Sequence, residues 1–201
     1  MPALLCDVGN VLVEVSLPRV LGLWRAANGG ELGVSDPAVL RDDAYRAFQT
    51  GGLGESEYAR HLRAVLGWRG SDTDLVAYFA EAYGAVNLVV LQVLGELRGE
   101  GWHLVGVSNT NPWHDEVLAR RFAEPLSVFT RVVASTAVRA RKSDPRFLGE
   151  AVRGCPPGLR VFTDDRPENV SSARLSGLDA HHFRDAERLR ETCLALGAPA
   201  G

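Results

Sequence analysis

The sequence predicts an α/β fold: a Rossmann-like, three-layer parallel sheet core carrying a small inserted helical cap. Three observations lead there. Short runs of β-branched and apolar residues alternate with helical segments in the second half of the chain, proline marks the helix starts, and a long helical stretch interrupts this rhythm after the first run.

The runs Ala3 to Val8, Trp102 to Ser108, Val128 to Ala134 and Leu159 to Thr163 read as buried strands, with a weaker fifth at Asp179 to Phe183. Between the later ones the punctuation is explicit. Asn111-Pro112 opens one helix, Asp144-Pro145 opens a second that ends before Gly154, and Pro167 opens a third that ends at Gly177. The spacing of Val86, Val89, Val90, Val93, Leu94 and Leu97 predicts a helix with one broad buried face. Strands alternating with helices imply a parallel sheet covered on both sides.

About 75 residues separate the first strand from Val86, far more than a crossover needs. Amphipathic segments at Leu17 to Ala27, Pro37 to Phe48, Ser56 to Leu66 and Asp72 to Tyr83 fill the gap, broken by Asn28-Gly29-Gly30 and Gly51-Gly52-Leu53-Gly54. The reading is a core domain at 1–14 and 86–201, with a helical cap subdomain at 15–85 inserted after the first strand. The glycines at 51–54 suit either a helix-to-helix turn or a movable cap loop.

With 201 residues, 46% of them hydrophobic, the chain is long enough to bury a substantial core. A net charge of −3 supplies no basic field, so a nucleic-acid partner is not expected. Cys6, Cys155 and Cys193 are odd in number and widely spaced, which favours neither a disulfide framework nor a zinc site and points to a reducing, cytoplasmic setting. No basic-then-apolar leader opens the sequence and no apolar run approaches membrane-spanning length, so a soluble protein without a membrane partner is expected. Its oligomeric state leaves no mark on the sequence.

In an open parallel sheet, ligands bind beyond the carboxyl ends of the strands. The chemistry-bearing residues fall there: Asp7 after the first strand, Ser108-Asn109-Thr110-Asn111 after the second, Lys142 before Asp144-Pro145, and Asp164-Asp165 after the fourth. Taken singly these are an acid in a turn, a helix cap and a surface turn. Together, in order at strand ends, they make a site of carboxylates, a hydroxyl with turn amides, and an ammonium. The neighbouring Arg139 and Arg141 read as a solvated loop. Cys6 reads as core packing, and Trp24, Trp68, Trp102 and Trp113 as core or cap packing, with Trp24 and Trp113 also placed to line a pocket.

The strings Asp7-Val8-Gly9-Asn10-Val11, Ser108-Asn109-Thr110-Asn111, Lys142-Ser143-Asp144-Pro145 and Phe162-Thr163-Asp164-Asp165, in that order and with a cap between the first two, resemble the haloacid dehalogenase (HAD) superfamily. They look most like its D-x-G-N-V / S-N-T-N phosphatase branch, which includes glucose-1-phosphate phosphatases. The resemblance implies a Mg²⁺-dependent phosphatase for a small phosphorylated metabolite, with a sugar phosphate favoured. It implies Asp7 as nucleophile, forming an aspartyl-phosphate, and Ser108 with the Asn109 amide holding phosphoryl oxygens. Lys142 compensates charge. Metal ligation falls to Asp7, Asp164 and Asp165, with a backbone carbonyl at Gly9.

Most phosphatases of that superfamily carry an aspartate where this sequence has Gly9. General acid–base assistance is worth roughly 10² to 10⁴ in rate, so a good leaving group or another donor is required. His114, in the first turn after Asn111, is the nominee. Two alternatives stay open: a metal-free 2-haloacid dehalogenase, suggested by the non-acidic position 9, and a non-catalytic phospho-metabolite-binding or regulatory protein.

Overall fold

The computed structural model describes residues 1–34 and 42–197. The chain begins with β1 (Ala3–Asp7) and β2 (Val13–Val15), then runs through α1 (Leu17–Ala27), α2 (Asp43–Gln49), α3 (Glu55–Leu66) and α4 (Asp72–Ala80) before returning as β3 (Tyr83–Val86). It continues through α5 (Leu88–Gly99), β4 (His103–Ser108), α6 (Pro112–Arg121), α7 (Ala123–Leu126), β5 (Arg131–Ala134), α8 (Ser135–Val138) and α9 (Pro145–Val152). The last elements are β6 (Arg160–Asp164), α10 (Pro167–Leu175), β7 (Asp179–His182) and α11 (Ala186–Gly197).

Five strands form one parallel sheet in the order β5-β4-β1-β6-β7. β1 therefore lies at the centre, where connections turn to opposite sides, the position at which such sheets open a ligand crevice. Alternation along β1 sorts its side chains to the two faces. Leu4 and Cys6 join Val90, Leu94 and Leu97 of α5 and Cys193 of α11 on one side. Leu5 joins Phe147 of α9 and Val170 of α10 on the other. Cys6 is a buried core residue, as expected from its place beside Asp7.

The helix starts follow from local chemistry. Asn111 Oδ1 accepts the His114 N–H, Asn87 Oδ1 accepts that of Val90, and Asp144 Oδ1 accepts that of Arg146. Three boundaries differ from the sequence reading, the first at Val86, expected to open a helix but lying in β3, so that α5 starts at Leu88. The segment expected to be helical up to Tyr83 stops at Ala80, because Tyr83–Val86 pairs antiparallel with Val13–Val15; a partner about 70 residues away leaves no trace in local periodicity. The strand expected from Val128 starts at Arg131, since the Phe129 N–H closes a turn on the Leu126 carbonyl. Of the segment expected at Pro37 to Phe48, residues 37–41 lie outside the described residues, and α2 starts after its cap Asp42, whose Oδ1 accepts the Tyr45 N–H.

The β2–β3 ribbon carries both chain crossings between the sheet and the helices α1–α4, and the boundaries at 14/15 and 85/86 fall within it. The helices α1–α4 close around an aromatic cluster of Trp24, Phe48, Tyr58 and Phe79, joined from the sheet side by Trp113 of α6. Gly51, with φ 69°, and Gly54, the cap of α3, make the α2–α3 turn.

Candidate active site

Asp7, Ser108 and Asp164 are the last residues of adjacent parallel strands, so their side chains emerge side by side at the carboxyl edge of the sheet. All three are buried. Lys142 reaches them from the loop between α8 and α9. Its backbone N–H donates to Asn109 Oδ1 at 2.9 Å, tying that loop to the one after β4.

The Lys142 ammonium is 2% exposed and bridges two carboxylates, with Nζ 2.6 Å from Asp7 Oδ1 and 2.7 Å from Asp164 Oδ2. Burial alone would lower its pKa, but the two carboxylates outweigh burial and hold it above the ordinary lysine range. Burial pushes the Asp7 carboxyl well above the usual carboxylate range and Asp164 adds to the push, while Lys142 pulls the other way. The second oxygen of Asp164, Oδ1, accepts from the Arg166 N–H and from Asn169 Nδ2, each at 2.9 Å. Asp164 is thus oriented through both oxygens, and Lys142 is held between two fixed anions.

Asp165 is half-buried, and burial followed by the neighbouring Asp164 raises its pKa. Oxygens of Asp7, Asp164 and Asp165 lie within 4.8 Å of one another. Hard carboxylate oxygens at this spacing fit a small oxygen-seeking dication such as Mg²⁺. Asn10 lies beside Asp165, whose pKa it draws down, and through Oδ1 accepts the Val15 N–H at 2.8 Å, which ties β2 to the site. Its φ of 57° puts it in the left-handed region, which asparagine tolerates better than most residues.

A cleft of about 560 Å³ opens above these groups. Gly9, Ser108 and Asn109 line its floor, while Tyr45, Arg46 and Gln49 of α2 contribute from the cap side. Trp24 and Trp113, expected as alternatives to line the pocket, belong to the aromatic cluster of the cap. The Gly9 N–H donates to Asp7 Oδ1 at 3.2 Å. A Cβ added at Gly9 would meet only Val15 Cγ2, at 3.3 Å, so the space for a side chain there is nearly present.

His114 requires a correction. Its ring reaches the cleft wall, yet Nδ1 takes a hydrogen bond from Asn111 Nδ2 at 3.0 Å and Nε2 faces the Phe79 carbonyl at 3.1 Å. A carbonyl can only accept, so Nε2 carries the proton and both nitrogens are committed. Burial lowers the pKa of the ring to about 4. The geometry describes a neutral tie between α6 and α4, and it leaves no proton free for a leaving group.

Sequence reasoning gave no role to Asn169 or Asn10 and read Arg141 as part of a solvated loop, whereas it is half-buried and lines the cleft. The Asn10 signal was present in the Gly9-Asn10 pair, a left-handed turn signature. Asn169 had a weaker one, its place in the first helical turn after Asp164-Asp165.

No protein-family model matches the chain. A HAD family enzyme from Bacteroides thetaiotaomicron superposes with a TM-score of 0.79 at 20% identity, covering 94% of this chain and 98% of that one, in a structure complexed with magnesium and inorganic phosphate. The fold is that of the HAD enzymes. A HAD-like family hydrolase from Porphyromonas gingivalis agrees, with a TM-score of 0.78 and 21% identity over 100% of this chain and 99% of that one. By sequence, a sesquiterpene phosphatase from Aspergillus oryzae is 23% identical over 182 residues, 88% of this chain and 90% of the relative. A drimenol cyclase from Aspergillus calidoustus is 26% identical over 98% of this chain, which spans 37% of the cyclase's length. Among the described residues, no helix of this HAD-fold chain is long and apolar enough to cross a membrane.

Proposed function

We propose that this chain is a Mg²⁺-dependent phosphatase that hydrolyses a small phosphorylated metabolite through an aspartyl-phosphate on Asp7. One observation carries the reading: the Asp7 carboxylate, 2.6 Å from the Lys142 ammonium, shares a cluster of carboxylate oxygens with Asp164 and Asp165. The HAD-fold structure solved with magnesium and phosphate and the sesquiterpene phosphatase relative support it.

Asp7 attacks phosphorus, the bond to the ester oxygen breaks, and water then cleaves the acyl-phosphate to release inorganic phosphate and regenerate the carboxylate. Asp7, Asp164 and Asp165 would hold Mg²⁺, which when bound neutralises charge on the phosphoryl oxygens. Ser108 and the Asn109 amide orient those oxygens, and Lys142 offsets the repulsion between the Asp7 anion and the phosphate. With Gly9 in place of an acid and His114 committed elsewhere, substrates with good leaving oxygens are favoured. Among these are anomeric sugar phosphates, the substrate class expected from the sequence; the sesquiterpene phosphatase relative adds sesquiterpene phosphates as a second class to test. The cluster of three carboxylates argues against a metal-free dehalogenase.

A screen of sugar and prenyl phosphates tests the proposal by phosphate release. Release should require Mg²⁺, stop in excess EDTA, and fall at least about 10³-fold in Asp7→Asn. Release that survives EDTA or Asp7→Asn would refute the mechanism. Tight binding with no release from any ester would favour the non-catalytic alternative.

A further inference from the structure

The cleft carries cationic side chains besides Lys142. Lys142 is already paired with Asp7 and Asp164, whose oxygens cluster with those of Asp165. Three arginines line the same cleft: Arg46 from α2, Arg141 beside Lys142, and Arg166 at the start of α10. Two of them have local partners, Arg46 bonding Asp43 at 2.6 Å and Arg166 bonding Glu168 at 2.5 Å.

Arg141 differs from both. It is half-buried and, among the described residues, its guanidinium has no ion pair and its buried Nε no hydrogen-bond partner. Burial lowers its pKa, and the positive charges of Arg166 and Arg46 add to the push, against a smaller pull from Glu168. Gln49 supplies a second unpaired group in the same wall: it is 3% exposed, and its amide oxygen has no partner among the described residues. A half-buried cation with a buried, unpaired Nε and a buried amide oxygen without a donor are each unfavourable unless a ligand completes them. Arg139, the other arginine of this loop, is accounted for by its bond to the Gly51 carbonyl at 3.2 Å.

We infer that Arg141 is a specificity-determining, anion-binding residue, and that the substrate carries a second acidic group, phosphoryl or carboxylate, beside the phosphoryl group that is transferred. The placement of the transferred group rests on the phosphatase reading. A guanidinium fork matches either acidic group through two parallel hydrogen bonds. Arg46 and Arg166 flank it and strengthen the local field. The Gln49 amide can present either its oxygen or its NH₂ to a neighbouring ligand group.

The test uses the full chain, free Mg²⁺ held constant, and three probes that phosphatases do not cleave: methylphosphonate, methylenediphosphonate and phosphonoacetate. Calorimetric titration of the wild type should show the two doubly acidic probes binding at least about tenfold more tightly than methylphosphonate. Arg141→Gln should bring that ratio to within about twofold, and Arg141→Lys, which keeps the charge without the fork, should fall between. A larger gain for methylenediphosphonate assigns a diphosphate or bisphosphate substrate, and a larger gain for phosphonoacetate assigns a carboxylate-bearing one. Equal affinities in the wild type, or an unchanged ratio in both Arg141 variants, overturn the inference. Because no probe is hydrolysed, a clear contrast without phosphate release from any ester would sink only the phosphatase reading. Turnover without the contrast would sink only the second-anion site.

Discussion

The carboxyl edge of the sheet and the interior of the cap solve opposite problems with equally buried residues. At the sheet edge, Asp7, Lys142 and Asp164 bring three ionisable groups out of water, and their attraction offsets a large desolvation penalty only while all of them are present. In the cap, Trp24, Phe48, Tyr58 and Phe79 are buried without charge; Trp24 stacks on Phe79 at 5.6 Å and Phe48 on Tyr58 at 4.4 Å. The first region is poised for chemistry and weak as a source of stability. The second holds the cap together and, through Trp113 and His114, holds it to the sheet.

Removing a partner from the charged region should have the largest effect. Lys142→Met leaves Asp7 and Asp164 facing each other in a buried site, and should lower stability by about 3–5 kcal/mol in metal-free denaturant titration. Added Mg²⁺ should restore part of the loss, since a dication replaces the missing charge; no recovery would mean that the carboxylates do not bind it. In the apolar region, Phe79→Ala opens a cavity and should lower stability by a similar or slightly smaller amount, about 3–4 kcal/mol, with no response to Mg²⁺. The response to the metal is therefore what separates the two regions.

At their junction, the pH dependence of His114 provides a finer probe. Its folded-state pKa of about 4 lies below the ordinary value of 6.5, so the unfolded chain binds the proton more readily. The associated stability is complete above pH 6.5, declines as pH falls through 6.5, and is lost near pH 4, a change of roughly 3 kcal/mol. In His114→Gln, denaturant midpoints between pH 7 and 4.5 should decline distinctly less than in the wild type. Parallel curves would show that His114 titrates normally.

The smallest effect on stability is expected at Gly9→Asp, below about 1 kcal/mol, because a Cβ there meets only the tip of Val15. If position 9 faces the leaving oxygen, as the resemblance implies, hydrolysis of an alkyl phosphate should rise at least about tenfold, while that of an activated ester should change little. An equal change for both would place the new carboxylate away from the leaving group.

Much of the fold was legible because it is written in short-range patterns. β1, β4 and β6 are short runs rich in apolar and β-branched residues, and α6, α9 and α10 announce themselves through Pro112, Pro145 and Pro167 at their first positions. The β2–β3 ribbon was not legible, since neither three-residue Val13–Val15 nor Tyr83–Val86 has a pattern of its own before the two meet. At the site, Asp7, Ser108, Lys142, Asp164 and Asp165 could be named from their order along the chain. Arg141 could not, because whether an arginine beside a lysine faces water or a cleft is decided by the loop between α8 and α9.

By itself the sequence determined the strands, the helix starts, the interruption after β1 and the residue types at the strand ends, all of which depend on interactions within a few residues. Tertiary structure alone decided what those groups became. Only the register of β1, β4 and β6 sets Asp7 beside Asp164, and only burial between them makes Lys142 a bridging cation. Packing of α4 on α6 turned His114 from an expected proton donor into a neutral tie, because burial and the Phe79 carbonyl act across 35 residues of chain.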